Sequence, residues 1–258
     1  MSRLSEFPAG RSSAIPSSGD HPSRALKKTP EPAARTDRDL STSGPLKDHD
    51  LSALNVAVIC DALDAIGKRS QSPAIDLLPM TGTEKLYGRC VTTEWEDLDA
   101  PDPRPYELEL QAVDSCEAGD VMIAAASGSR RSGIWGELLS TAARHRGCAG
   151  VIVDGAVRDV QKMTETRFPC FARYVCPLDS QHRQRVKAVG CAVEVGGVLV
   201  ENGDFVFADR DGVVFVPHAV KREVVAYATN KVSEENVTRD AIMAGMSATQ
   251  AYERYGVL

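Results

Sequence analysis

An acid at position 137, twenty intervening residues and then the pair Arg158-Asp159 form the part of this chain best suited to chemistry. Arg158 can grip a carboxylate through two parallel hydrogen bonds. Asp159 is a hard oxygen ligand of the kind that Mg²⁺ or Mn²⁺ takes, with water completing the shell. Glu137 falls where a helix begins, and the first-turn N–H groups from Gly136 to Leu139 have no intrahelical partner, so they can hold an anion. A divalent cation and a small carboxylic acid are the ligands that such a set would take. A plainer reading stands beside it: an acid at a helix start complements the dipole, and Arg-Asp neighbours commonly occupy surface turns.

The segments between these residues can bring them together. Residues 119–126 (Gly-Asp-Val-Met-Ile-Ala-Ala-Ala) form an apolar run opened by a turn, which predicts a buried strand. Residues 127–133, rich in Gly, Ser and Arg, read as a solvated loop. Leu138, Leu139, Ala142 and Ala143 then recur at helical spacing. Basic residues crowd the last turn, and Gly147 suits the position after it. Residues 149–153 (Ala-Gly-Val-Ile-Val) are a second apolar strand. A β-α-β unit with parallel strands follows, and it places Glu137 and Arg158-Asp159 beyond the carboxyl ends of neighbouring strands, the edge where ligands bind in open α/β sheets.

Several stretches resemble the RraA-like family, which includes class II 4-hydroxy-4-methyl-2-oxoglutarate aldolases. They are Val58-Ile59-Cys60-Asp61-Ala62-Leu63, Ala118-Gly119-Asp120-Val121, Trp135-Gly136-Glu137-Leu138-Leu139, Asp154-Gly155-Ala156-Val157-Arg158-Asp159, Phe168-Pro169-Cys170-Phe171-Ala172-Arg173 and Asp211-Gly212-Val213-Val214. The resemblance runs from Leu51 onward. It implies an α/β fold, a swivelling β/β/α domain assembled as trimers or hexameric pairs of trimers, with sites at subunit interfaces. It implies that Gly136, Glu137, Leu138 and Leu139 contact substrate mainly through backbone amides, that Arg158 binds the keto-acid end, and that Asp159 ligates Mg²⁺ or Mn²⁺. Glu137 stands where these aldolases commonly have Asp; it is one methylene longer, and the implied role is to orient water.

The activity implied is a metal-dependent retro-aldol cleavage of a 4-hydroxy-2-oxo acid to pyruvate, with oxaloacetate decarboxylase side activity. Relatives that regulate ribonuclease E lack the complete Glu/Asp, Arg, Asp set; this chain has all three, which favours an enzyme, with a non-catalytic regulator that binds a ribonuclease as the alternative. Another metal-dependent lyase acting on a different keto acid is a third. Arg130 and Arg131 are candidates for reading a distal carboxylate or phosphate on the substrate, with a solvated loop as the plainer account.

Composition narrows the field. At 258 residues and a formal charge of −6, the chain can form one sizeable domain and is a poor general polyanion binder, so no nucleic-acid partner is expected. No apolar run reaches membrane-spanning length, and a cytoplasmic location is expected. Seven scattered cysteines without a CxxC pair read as reduced, buried small hydrophobes. Residues 1–48 hold six of the fourteen prolines and little apolar periodicity, which predicts a disordered extension before a folded domain at 49–258.

Elsewhere, helices are predicted at residues 51–66, 106–116 and 218–235. Strands are predicted at 88–95, 169–173, 191–195, 198–200, 205–208 and 213–216, and residues 97–105 form an irregular loop. Ser247 with Gln250 forms a capping-box pattern for a last short helix stopped by Gly256.

Overall fold

The computed structural model describes residues 51–82 and 85–257. The predicted disordered extension, residues 1–48, lies outside them. An eight-stranded mixed sheet organises the molecule. Its strands are β1 (Leu78–Pro79), β2 (Leu86–Asp97), β3 (Asp120–Trp135), β4 (Gly150–Val157), β5 (Cys170–Val175), β6 (Gln184–Val189), β9 (Phe205–Asp209) and β10 (Gly212–Val216). They run in the order β1-β5-β4-β3-β2-β9-β10, with β6 also pairing β2. β7 (Val193–Val195) and β8 (Val198–Val200) make a separate hairpin.

Three successive pairings, β2–β3, β3–β4 and β4–β5, are parallel. Their crossovers carry α2 (Glu107–Asp114), α3 (Glu137–His145) and α4 (Val160–Thr166). The single predicted β-α-β unit is thus the middle of three. β4 is buried along all eight residues, as a central parallel strand covered on both faces must be. On one face its alternate residues join a core with Ala112 and Val113 of α2, Ala143 of α3 and Met163 of α4. On the other, Ile152 meets Val193, Val195, Val198 and Val200 of the hairpin. Helices, sheet and hairpin form the three layers of a swivelling β/β/α domain.

A third core lies at the far edge of the sheet. The buried face of α1 (Val56–Ala65) packs there on Phe205, Phe207, Val214 and Val216, and on Val224, Val225 and Ala228 of α5 (Lys221–Met243). The predicted helix from residue 51 is interrupted: Leu51 and Ser52 are helical, but Asn55 is extended and its side chain accepts from Val58 N–H at 2.8 Å, so α1 begins at Val56. α5 runs on to Met243, beyond the predicted end at 235, and is preceded by a 3₁₀ turn at His218–Val220. α6 (Ala248–Tyr255) has the predicted capping box from Ser247 and Gln250, and Gly256 closes it at φ 71°.

One prediction fails and one strand carries no sequence signal, each for an identifiable reason. Residues 127–133 are no loop: β3 continues through them to Trp135, pairing Ser129 with Gly155 and Gly133 with Ala156 across register shifts. Gly128 at φ 72° and Ser127 at φ 49° permit the bulge. Strand β6 went unread because Arg185 and Lys187 alternate with its apolar residues; they pair across to Glu96 and Glu94 of β2 at 2.8 Å each.

The Gly-Asp pairs at 119–120 and 203–204 share their turn chemistry. Asp120 Oδ2 accepts from Glu117 N–H and Asp204 Oδ2 from Glu201 N–H, each at 2.9 Å, and both carboxylates are buried. All seven cysteines are free thiols; four are buried and three half-buried.

Candidate active site

The carboxyl ends of β3 and β4 lie side by side, with Trp135 registered against Val157. The chain leaves β3 at Gly136, the N-cap of α3, and leaves β4 at Arg158. Arg158 N–H donates to the Trp135 carbonyl at 2.8 Å, so the two exits are tied together. Gly136 permits this close approach. A Cβ there would lie 2.8 Å from Asp159 Oδ2 and 3.1 Å from Arg158 Cγ. Any larger residue would displace the Asp159 carboxylate and crowd the Arg158 side chain.

Asp159 sits in the left-handed region at φ 53°, ψ 30°. For a non-glycine residue this costs on the order of 1 kcal/mol and persists only where the surroundings impose it. Its carbonyl starts α4 by accepting from Met163 N–H at 3.0 Å. Its carboxylate is held loosely: Glu137 N–H points at Oδ2 from 3.4 Å, and Arg158 Nε lies 3.9 Å away. The side chain is 43% exposed. A carboxylate with such weak protein contacts has lone pairs left for another ligand.

These residues form one wall of a cleft of about 290 Å³, where Gly136, Leu138, Leu139, Arg158 and Asp159 meet Tyr106, Glu109 and Leu110 of the α2 segment, and Asp179 and Ser180 of the β5–β6 connection. Arg158 NH1 pairs with Asp179 Oδ2 at 3.2 Å. Asp179 Oδ1 also accepts from the Tyr106 hydroxyl at 3.0 Å and Gln181 N–H at 3.1 Å. Burial works to raise the Asp179 carboxyl, but these hydrogen bonds and the Arg158 charge outweigh it and hold it below its usual range. Burial, followed by the hydrogen bond to Asp179, pushes the Tyr106 hydroxyl up to about 12.

Glu109 is the unusual member. It is only 6% exposed, and its Oε2 has no hydrogen-bond partner among the described residues. Burial first, and then the Asp179 charge, push its carboxyl up to about 8, with Arg158 pulling the other way.

Arg158, Asp159, Gly136, Leu138 and Leu139 are therefore brought together as the spacing implied. Glu137 joins them through its backbone only. Its carboxylate turns along the helix to accept from the Thr141 hydroxyl at 2.9 Å and does not line the cleft. Arg130 lies 3.6 Å over the Tyr174 ring, Arg131 pairs with Asp99 at 3.8 Å, and neither lines the cleft. Asp154, within the Asp-Gly-x-x-Arg-Asp motif, is buried and paired with Arg173 at 2.9 Å, a structural tie between β4 and β5.

Tyr106, Glu109 and Asp179 were not anticipated. Glu109 left a trace in the sequence, an acid three and four residues before the buried Ala112 and Val113 of the same helix face. Asp179 lies in a connection with no periodic signal.

No group of three or more His, Cys, Asp or Glu suited to a metal occurs among the described residues. A caged zinc-type site therefore does not fit. The one exposed carboxylate of Asp159, beside a position left open by Gly136, fits a hard cation taken by one protein carboxylate, with water and substrate completing its shell.

Comparison with known proteins agrees with this architecture. The family profile described as RraA-like, Aldolase/RraA, matches residues 56–215. Protein DlpA of Legionella pneumophila is 28% identical over 202 residues, 78% of this chain; the match spans only 32% of DlpA's own length. A Halalkalibacterium halodurans protein, provisionally named a 4-hydroxy-4-methyl-2-oxoglutarate aldolase, is 29% identical over 75% of this chain and 87% of its own. Among solved structures, Streptomyces coelicolor RraAS2, described as an unusual member of the RNase ES inhibitor RraA family, superposes with a TM-score of 0.67. It is 27% identical and covers 75% of this chain and 96% of its own. With its profile match, layered fold and paired strand exits, this chain belongs to the RraA-like family.

Proposed function

We propose that the protein is a divalent-cation-dependent carbon–carbon lyase. In this reading it cleaves a 4-hydroxy-2-oxo acid of the 4-hydroxy-4-methyl-2-oxoglutarate type by a retro-aldol reaction to give pyruvate, and decarboxylates oxaloacetate as a side activity. One observation carries the reading: Arg158, Asp159 and the amino terminus of α3 converge on one wall of one cleft.

Arg158 orients the substrate by its C1 carboxylate and 2-keto oxygen, and its charge stays aimed at that end of the molecule. As the C3–C4 bond breaks, its electron pair moves toward C2 and negative charge gathers on the keto oxygen. A guanidinium beside that oxygen binds the transition state more tightly than the ground state, which lowers the barrier. The α3 amino terminus adds fixed partial positive charge. Asp159 would hold Mg²⁺ or Mn²⁺, which when bound supplies Lewis-acid polarisation of the keto group. Asp179, saturated by Tyr106, Gln181 and Arg158, fixes the Arg158 guanidinium. Decarboxylation of oxaloacetate passes through the same enolate and needs the same positioning.

A second reading has support in the resemblance to RraAS2: a regulator that binds a ribonuclease through its surface. Exposed Leu138, Val175 and Leu178 near the cleft would serve either that partner or further copies of this chain in a homotrimer or hexamer. Pyruvate release from oxaloacetate and from 4-hydroxy-4-methyl-2-oxoglutarate, with Mg²⁺ and with EDTA, separates the two readings. The lyase reading expects turnover that EDTA removes; a regulator gives none with either substrate.

A further inference from the structure

Three carboxyl groups line the cleft: Asp159, Asp179 and Glu109. Retro-aldol cleavage needs one group to accept the C4 hydroxyl proton. Asp179 is unsuited, because three donors already occupy it and hold it ionised. Asp159 faces the α3 amino terminus in the position assigned to the cation. Glu137 directs its carboxylate to Thr141 and away from the cleft. Glu109 alone is buried, cleft-lining and left with a carboxyl oxygen that nothing in the described residues satisfies. An unpaired buried oxygen costs roughly 1–3 kcal/mol, a cost that a bound substrate hydroxyl would remove.

We propose that Glu109 is the acid–base residue of this cleft, placed on α2 to exchange a proton with the C4 hydroxyl of the substrate. The inference rests on the lyase reading above. The Glu109 carboxylate takes the hydroxyl proton as the C4–O bond becomes a carbonyl. The C3–C4 bond breaks, and its electrons form the enolate of pyruvate. The same proton then returns from Glu109 to C3, giving the methyl group. Nothing is oxidised or reduced, and no co-reactant is consumed.

The proton affinity fits this role. With the carboxyl pushed up to about 8, both protonation states are accessible near neutral pH, the condition for an efficient proton exchanger. The charged groups acting on it are Asp179, which raises it, and Arg158, which lowers it. Burial raises it most, ahead of either charge.

Oxaloacetate supplies the discriminating control, because its decarboxylation needs no base to remove a hydroxyl proton, and the enolate of pyruvate it leaves can take its C3 proton from water. Glu109→Gln and Glu109→Leu are assayed with Mg²⁺ on 4-hydroxy-4-methyl-2-oxoglutarate and on oxaloacetate, and both are melted thermally beside wild type. Glu109→Gln is expected to lower retro-aldol kcat by about 10²-fold or more and to lose at least about ten times more of that activity than of decarboxylation. Glu109→Leu, which removes a buried unsatisfied group, is expected to melt above wild type while losing cleavage. Equal losses of both activities, or Glu109→Gln retaining wild-type retro-aldol kcat, overturn the proposal and leave the lyase reading intact. A wild-type protein that turns over neither substrate rejects the lyase reading itself, and this proposal with it.

Discussion

At the scale of single residues, the cleft depends on what each side chain is denied or left without. Gly136 contributes by having no side chain, since a Cβ would reach 2.8 Å from Asp159 Oδ2. Gly136→Ala is therefore expected to lower kcat/KM by about tenfold or more through displacement of the Asp159 carboxylate, while circular dichroism stays native. Arg158→Lys keeps the charge but loses the fork, and should cost about 10²-fold in kcat/KM on either substrate.

Glu109 makes a further prediction about pH and stability. Its folded-state carboxyl lies near 8 against an ordinary value of 4.5, so between these values the native protein holds a proton that the unfolded chain has released. Stability from this group is complete below about pH 4.5 and declines as pH rises toward 8. A melting temperature that falls across this window in wild type, and falls less in Glu109→Leu, is the expected outcome.

At the scale of elements, the site is a consequence of the sheet. Two parallel strands exit at the same edge, and backbone hydrogen bonding between Arg158 and Trp135 sets the Arg-Asp pair against the α3 start. The pair of buried Asp154 with half-buried Arg173 ties β4 to β5 just inside that edge. Asp154→Ala would strand the Arg173 guanidinium, and a loss of about 2–4 kcal/mol in urea unfolding is expected.

These elements were legible in the sequence wherever burial on both faces left a run of apolar residues, as in β3 and β4, or wherever a cap was written in side chains, as at Ser247 and Gln250. They were illegible where cross-strand charge replaced apolar pattern. Arg185 and Lys187 make β6 look like a polar connection until Glu94 and Glu96 are known to lie opposite. The continuation of β3 through residues 127–133 was hidden for another reason: Gly and Ser signal a turn locally, whereas pairing with Gly155 and Ala156 is a tertiary event.

At the scale of the whole molecule, one half of the cleft could be read from spacing and the other half could not. Gly136, Arg158 and Asp159 lie within one β-α-β unit, so local geometry unites them. Tyr106, Glu109 and Asp179 arrive from the preceding crossover and from the β5–β6 connection, and only the assembled domain brings them opposite. Among the described residues no helix is long and apolar enough to cross a membrane. Exposed Leu138, at 78%, and Val175, at 61%, lie at or near the cleft. If further copies of this chain cover them, light scattering will give a trimer or hexamer mass, and Leu138→Asp will shift it toward monomer.

Whether Asp159 holds a cation and Arg158 a keto acid is decided by pyruvate release from 4-hydroxy-4-methyl-2-oxoglutarate. Wild-type protein with Mg²⁺ or Mn²⁺ is expected to release pyruvate, and EDTA or Asp159→Ala to abolish the release, with the variant still folded. Undiminished release by Asp159→Ala would contradict that role for Asp159.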